Sequence, residues 1–156
     1  MAEESISSDK LEKQIRETYY NAYFDLLQEK VDQDPPDYEW IVHLYEEIRT
    51  KFMTLLKEGG KLRKQIEDEM DVQLFDQMIR NKAFGGPEFQ KLTCFVFDLC
   101  LQLGSPQRDA DTKARRDEIL TTMNAGSKFS ILLPMFIKHA NTCIDHIYED
   151  LQTTLQ

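Results

Sequence analysis

Two adjacent prolines, Pro35 and Pro36, separate two long segments whose apolar residues recur with a helical period. A proline lacks a backbone N–H and disfavours the α conformation in the residue before it, so a helix has to end ahead of this pair. Asp37 follows directly and belongs to the residue types that cap new helices. The pair therefore predicts a helix that ends near Val31, a short turn, and a second helix that begins at Tyr38.

The apolar residues keep a helical period along the rest of the chain, and β-type alternation is absent from the sequence. The spacing predicts helices over about 9–31, 38–57, 61–81, 88–103, 107–123 and 127–154. Asp71 is placed to cap a new start at Val72 within the third of these segments. We expect the most apolar segment, 88–103, to be the central helix of an all-α, single-domain bundle of about six helices.

The first predicted helix carries apolar residues on one face, which we expect to point into the core: Leu11, Ile15, Tyr19, Ala22 and Leu26. Ser8 or Asp9 is the predicted N-cap of this helix. Residues 1–8 are predicted to be a disordered N-terminal segment and residues 9–156 to be the folded domain. A chain of 156 residues is long enough to bury one sizeable core.

The negative net charge of the chain limits the classes of partner that it can bind. Its net charge of −9 opposes binding to nucleic acid and to anionic lipid surfaces. No apolar run approaches the roughly 20 residues of a membrane-spanning helix, so direct membrane insertion is not expected. The acidic start is unlike a signal peptide, and the 3 cysteines are an odd number without a disulfide framework. Together they predict a reducing, cytoplasmic setting.

Three blocks of residues carry a resemblance to a known family. The first runs from Ala22–Asp25 through Asp34–Tyr38 to Leu44–Ile48, the second is Glu69–Ile79, and the third is Ser105–Asp109. In this order and at these intervals, the blocks resemble the t-complex protein 11 domain. The resemblance covers about 22–118 well and the last helix more loosely.

The chain departs from that family's pattern near the third block. Gly104 and Ser105 stand where the family usually has a Cys-Ala pair, and residues 110–116 intervene before the acidic residues that usually follow closely. Family members are also usually far longer, so the chain resembles a minimal member. The resemblance implies a non-enzymatic intracellular regulator, with relatives tied to cyclic-AMP and kinase signalling and to mammalian sperm function. It brings no catalytic residues.

The polar segment after Pro106 contains a basic cluster, which we consider as a partner-binding corner: Arg108, Asp109, Lys113, Arg115 and Arg116. Such cations can receive an acidic peptide or a phosphate group. The alternative is structural, with Arg108 paired to a carboxylate, Asp109 complementing the helix dipole, and the other cations forming a solvated face. We favour the structural alternative.

A dense aromatic block, residues 19–24, occupies the first predicted helix. One helix face cannot hide so many large rings, so we expect part of the block to lie off the core. Exposed aromatic rings favour an interface, and Tyr20 and Tyr23 are the candidate partner-binding residues. The alternative is that later helices cover the block.

His139, Cys143 and His146 have spacings of four and three residues, so a helix places them on one side. These residue types bind zinc, but the sequence identifies no fourth ligand, and the histidines lie at the margin of an apolar stripe. We therefore predict no metal and no cofactor and keep these three residues as the metal candidate. Cys94 and Cys100 are predicted to be inert core thiols.

The sequence contains no activated nucleophile, metal framework or phosphate-binding loop, and we predict a protein that is not an enzyme. The favoured hypothesis is an interaction or regulatory module that binds another protein. Two alternatives stay open: a small metal-dependent enzyme that uses the last helix, and a bundle whose groove captures an amphipathic helix, including a virus-encoded mimic of a host domain. The partner, the pathway and the oligomeric state are left undetermined.

Overall fold

Seven α-helices make up the part of the chain that the computed structural model describes, residues 2–56 and 58–155, with side chains described from Ser8 to Thr153. The helices are α1 (Ala2–Asp32), α2 (Glu39–Leu55), α3 (Lys61–Glu69), α4 (Val72–Arg80), α5 (Gly86–Leu103), α6 (Asp109–Asn124) and α7 (Phe129–Leu155), with a 3-10 turn (Pro106–Arg108) before α6. These residues contain no β-strand, which confirms the all-α class. None of the described helices is long and apolar enough to cross a membrane.

The last helix, α7, lies at the centre of the bundle and packs against α1, α2, α5 and α6. Its apolar side is buried from Leu133 to Ile147, whereas Leu151 is exposed near the end of the helix. The segment predicted to be central, α5, is also largely buried but packs mainly against α6 and α7. The bundle is therefore arranged around α7 rather than around α5.

A series of contacting aromatic rings runs through the core. Tyr45 of α2 stacks on Phe75 of α4, with ring centroids 4.1 Å apart, and Phe75 meets Phe84 edge to face at 5.2 Å. Phe84 contacts Phe89 of α5 at 6.5 Å, and Phe89 contacts Phe136 of α7 at 6.0 Å. The series joins four helices. Burial of Tyr45 within it raises the pKa of the Tyr45 hydroxyl.

Several helix ends follow the turn chemistry predicted from the sequence. The Asp71 carboxylate accepts a hydrogen bond at 3.0 Å from the N–H of Leu74, so it caps α4 and divides the third predicted segment into two helices. Asp37 accepts one from the backbone N–H at the start of α2 at 3.1 Å. At the other end of α2, the guanidinium of Arg63 donates to the carbonyl of Met53 at 3.1 Å. The predicted last residue of this helix, at position 57, lies outside the described residues.

The start of α1 differs from the prediction. The helix begins at Ala2, so the predicted caps Ser8 and Asp9 lie inside it and the predicted start near Asp9 is wrong. The division of the chain at residue 8 stays a prediction, and Met1 lies outside the described residues. Every side chain from Ser8 to Ala22 is exposed. This part of α1 therefore contributes nothing to the core.

The predicted core face of α1 is wrong. Leu11, Ile15 and Tyr19 are 57%, 60% and 80% exposed, and Leu26 is 43% exposed. The residues of α1 that enter the core are Phe24, Leu27 and Val31. At 3.6 residues per turn, these lie about 150° around the helix from the predicted face. The helix thus has two apolar sides, and the bundle covers the shorter one.

Candidate functional site

The uncovered apolar side of α1 is the candidate interaction surface, and we call it the α1 stripe: Leu11, Ile15, Tyr19, Ala22 and Leu26. At 3.6 residues per turn, these five positions fall within about 80° of the helix circumference. At 1.5 Å per residue, the stripe is roughly 22 Å long. It is a continuous apolar band on a helix that the rest of the chain leaves open.

The charges around the stripe balance. Residues 8–22 carry three carboxylates and three cations, in contrast with the net charge of −9 for the whole chain. Charge repulsion therefore opposes an approaching protein less here than elsewhere on the surface. A helix of this length that is exposed on all sides is only marginally stable in water. A partner that covered the stripe would stabilise this exposed part of α1.

The aromatic block at 19–24 is divided between core and surface. Phe24 is buried and Tyr20 packs on its ring edge to face at 4.8 Å, while Tyr19 is exposed. Tyr23 stacks on Trp40 of α2 with a centroid distance of 5.7 Å. Burial, followed by the nearby Asp145 carboxylate, raises the pKa of Tyr20. The block is therefore partly covered and partly exposed, and partner binding through Tyr20 and Tyr23 stays a prediction.

Arg108 braces the corner between the 3-10 turn and α7. Its Nη2 and Nε atoms donate to the two carboxylate oxygens of Asp150 at 3.0 and 3.3 Å, and Glu149 lies 3.9 Å away. This bidentate pair raises the pKa of the Arg108 guanidinium and lowers the pKa of the Asp150 carboxyl. Asp109 lies in the first turn of α6, where the helix dipole favours a carboxylate.

The other arginines of the corner also have internal partners. Arg115 pairs with Asp111 at 2.9 Å, one turn earlier on α6. Arg116 lies 3.3 Å from Asp117 and 3.9 Å from Asp98 of α5. The hydrogen bond from Arg115 lowers the pKa of the Asp111 carboxyl. These pairs favour the structural interpretation of the cluster, and partner binding through it, with exposed Lys113, stays a prediction.

The metal candidate is not assembled as a metal site. The Nδ1 atom of His139 lies 3.0 Å from the guanidinium of Arg115, and its Nε2 atom lies 3.2 Å from a carboxylate oxygen of Glu118. His146 Nδ1 lies 3.9 Å from Asp111 without a hydrogen-bond partner, and Cys143 is buried. From Ser8 to Thr153, apart from position 57, no group of three or more metal-ligating side chains could hold an ion.

The three cysteines are free thiols. Cys100 and Cys143 are buried where α5 meets α7, and Cys94 is partly buried. A hydrogen bond between the first two raises the pKa of Cys100 and lowers that of Cys143. Thr112 of α6 accepts a longer contact from the Cys143 thiol at 4.0 Å. The two buried thiols therefore lie where α5, α6 and α7 meet.

Sequence reasoning identified the residues of the α1 stripe but placed them in the core. A signal for the exposed side was present, because Phe24, Leu27 and Val31 form a second apolar set on the same helix. A helix end with two apolar sides cannot bury both against one bundle. The shorter set lies in the half of α1 nearer the Pro35-Pro36 turn, and α1 packs mainly against α7.

These observations define an all-α helical-bundle domain with an uncovered apolar helix face. The sequence model of the T-complex protein 11 family matches residues 3–152, and the chain belongs to this family. The match extends beyond the 22–118 expected from the sequence and includes most of α1 and α7. No solved structure matches the chain.

Among the similar proteins is a human T-complex protein 11 homolog, 30% identical over 110 residues, which are 70% of this chain and 21% of that protein. The human T-complex protein 11-like X-linked protein 1 is 28% identical over 100 residues, 64% of this chain and 19% of its own length. Mouse T-complex protein 11 is 24% identical over 110 residues, 70% of this chain and 19% of the relative. The matched part thus spans about a fifth of these curated relatives.

Proposed function

We propose that this chain is a non-enzymatic protein-interaction module whose α1 stripe binds an apolar helix face of another protein. The observation that carries the proposal is the exposure of Leu11, Ile15 and Tyr19 on a part of α1 that the bundle leaves uncovered. Each large apolar side chain gains about 1.5–3 kcal/mol when it moves from water into an apolar contact. A partner that covers all three gains enough to offset part of the cost of association.

A helix is the partner element that suits this surface. The stripe positions recur every three or four residues, which is the spacing through which two helices interlock side chains. A helix–helix contact also leaves no backbone donors or acceptors unpaired, because both backbones are satisfied internally. The exposed helix would change from marginal to stable on binding, since packing supplies most of the stability of helices in proteins.

We also propose that the module has a regulatory role in a cytoplasmic signalling pathway. It is supported by membership of the T-complex protein 11 family, whose relatives the sequence resemblance ties to cyclic-AMP and kinase signalling. The chain matches about a fifth of its curated relatives. A module of this size can dock a partner without carrying the other functions of longer proteins.

The test compares two double variants in affinity capture from native cells, with identification of the bound proteins. Leu11→Gln with Ile15→Gln removes the stripe but keeps a good helix former at both positions. The control, Lys13→Gln with Glu17→Gln, changes the opposite side of the same exposed segment and leaves the net charge unaltered. We expect a protein that the original chain and the control capture and that the stripe variant loses.

Amide hydrogen exchange with the captured protein added provides the direct readout. Amides of residues 8–22 should exchange rapidly in the free chain and become protected in the complex, because helix opening is then coupled to partner release. Equal capture by the stripe variant, or an α1 segment that stays unprotected in the complex, would show that the partner binds elsewhere.

A further inference from the structure

A pocket of about 490 Å³ opens on the surface between the later part of α1, the outer side of α2 and the end of α4. We call it the acidic aromatic pocket and define it by two rings and two carboxylates, Tyr23, Trp40, Glu39 and Glu46. It lies away from the basic corner and does not include any residue of the α1 stripe. Its volume is within the range of small-ligand and side-chain sites.

The aromatic side of the pocket already holds a cation of the chain itself. Tyr23 and Trp40 stack with an interplanar angle of 17° and a centroid distance of 5.7 Å. The ammonium of Lys30 lies 4.5 Å from the centre of the Trp40 ring. Tryptophan is the ring that attracts cations most strongly. The wall therefore has the geometry and electronic character that positive groups select.

The charged side of the pocket has an excess of unpaired negative charge. Neither Glu39 nor Glu46 has an ion-pair partner within residues 8–56 and 58–153. The cation that lines the pocket, Arg80, is hydrogen-bonded to the Asp76 carboxylate, which raises the pKa of its guanidinium. Arg80 also feels the charge of Glu39, but its hydrogen bond is to Asp76, so the lining keeps more negative than positive charge and attracts a cation from outside.

The spacing of the two carboxylates sets the shape of the cationic partner. Glu39 and Glu46 are seven residues apart on α2, so they lie on the same helix face two turns apart, a rise of roughly 10 Å. A peptide in the polyproline II conformation has three residues per turn and rises about 3.1 Å per residue. Two cationic side chains three residues apart on such a segment therefore lie on one side, roughly 9 Å apart, and match the two glutamates.

We propose that the acidic aromatic pocket binds a basic peptide segment of a partner protein, with arginine side chains three residues apart directed at Glu39 and Glu46. A guanidinium is favoured over an ammonium because it pairs with a carboxylate through two hydrogen bonds. This site is separate from the α1 stripe, and it would give the module a second, charge-selective contact. It does not depend on the function proposed for the stripe.

Trp40 lines the pocket and is the single tryptophan of the chain, so a change in tryptophan fluorescence reports on binding at the pocket itself. The probe is the hexapeptide acetyl-Gly-Arg-Gly-Gly-Arg-Gly-amide, titrated into the full chain while Trp fluorescence is followed. A second peptide with citrulline in place of both arginines keeps the shape and removes the charge. We expect a saturable change with the arginine peptide, weakened by added salt, and none with the citrulline peptide.

Matched variants distinguish binding in the pocket from nonspecific attraction of the basic peptide to an acidic protein. Glu39→Gln with Glu46→Gln should weaken binding of the arginine peptide about tenfold, as two partly exposed ion pairs are lost. Glu58→Gln with Glu67→Gln makes the same change in net charge at exposed positions outside the pocket and should bind as the original chain does. Circular dichroism of both variants establishes that they are folded.

Three results would overturn the proposal. The first is the absence of a saturable Trp40 signal with the arginine peptide. The second is an equal loss of affinity in the two double variants, which would assign the binding to net charge. The third is a response to spermine as strong as the response to the peptide, since a flexible polyamine carries charge without the peptide's spacing.

Discussion

At the scale of single residues, His139 shows how the packing of α6 on α7 selects a protonation state. The guanidinium of Arg115 can only donate, so the Nδ1 atom 3.0 Å away has to accept, which leaves the proton on Nε2. That Nε2–H faces the carboxylate of Glu118 at 3.2 Å. Burial, reinforced by the charge of Arg115, lowers the pKa of His139 despite the opposing effect of Glu118. The imidazole is held neutral.

A pH dependence of stability follows from this arrangement. The pKa of His139 is lower in the folded state than the value of about 6.5 in the unfolded chain. Between these two values the unfolded state binds more protons, so the free energy of unfolding should fall as the pH is lowered below about 6.5. We expect urea unfolding at pH 7.5 and 5.5 to show that the free energy of unfolding falls less between these two pH values in His139→Gln than in the original chain. As a control, replacing the exposed His43 by Gln should leave the fall in unfolding free energy between the two pH values as it is in the original chain. The same fall in His139→Gln as in the original chain would contradict the assignment to His139.

At the scale of elements, Asp71 shows how one side chain redirects a helical segment. Met70 is fully buried just before it and Phe75 is buried just after it. A continuous helix would place these two residues about 140° apart, because five residues advance the helix by that angle beyond one turn. The break at Asp71 lets α3 and α4 point their apolar sides independently. The hydrogen bond to Leu74 holds the new start.

The cap at Asp71 has a measurable contribution to stability. Replacing Asp71 by Ala removes the acceptor for the Leu74 N–H, and the free energy of unfolding should fall by about 0.5–2 kcal/mol. Asn keeps an oxygen in the same place, so Asp71→Asn should recover most of the loss. Urea denaturation of the two variants gives the comparison. If Ala and Asn were equivalent, the side-chain hydrogen bond would not be what stabilises the start of α4.

At the scale of the whole molecule, the core is shared by helices that are far apart in the chain. The side chain of Tyr148 on α7 donates to the carbonyl of Lys51 on α2 at 2.9 Å, and the Lys51 ammonium donates to Asn141 at 3.0 Å. The aromatic series and the paired thiols join further helices to α7. The N-terminal part of α1 stands outside this network, so the bundle and the exposed helix are separate contributors to stability.

Truncation of a core side chain tests the arrangement of the bundle. Leu99 of α5 is 1% exposed, and Leu99→Ala should lower the free energy of unfolding by about 2–5 kcal/mol, the range for a buried leucine. The matched control is Leu74→Ala on α4, where the side chain is 51% exposed and the change should be about 0.5 kcal/mol or less. Chemical denaturation measures both. Similar losses in the two variants would show that α5 is not packed as described.

The basic corner illustrates what the sequence could and could not predict about a site. The cluster of Arg108, Arg115 and Arg116 is visible in the sequence, and so is the structural alternative that Arg108 meets a carboxylate. The identity of that carboxylate, Asp150, is not visible, since 42 residues separate the pair. The acidic aromatic pocket was missed for a related reason, because Tyr23 of α1 and Arg80 of α4 join Trp40 and the two glutamates of α2 only in the folded chain.

The sequence by itself determined the helices, most of their ends apart from the start of α1, and the family, because prolines, capping carboxylates and apolar periodicity act within a few residues of each other. The Pro35-Pro36 turn and the Asp71 cap are examples that the structure confirms. Only the tertiary structure decided which side of α1 is buried and that α7 is the helix the others surround. Burial depends on which distant elements cover a face, and α1 offers two apolar faces of which the bundle can cover only one.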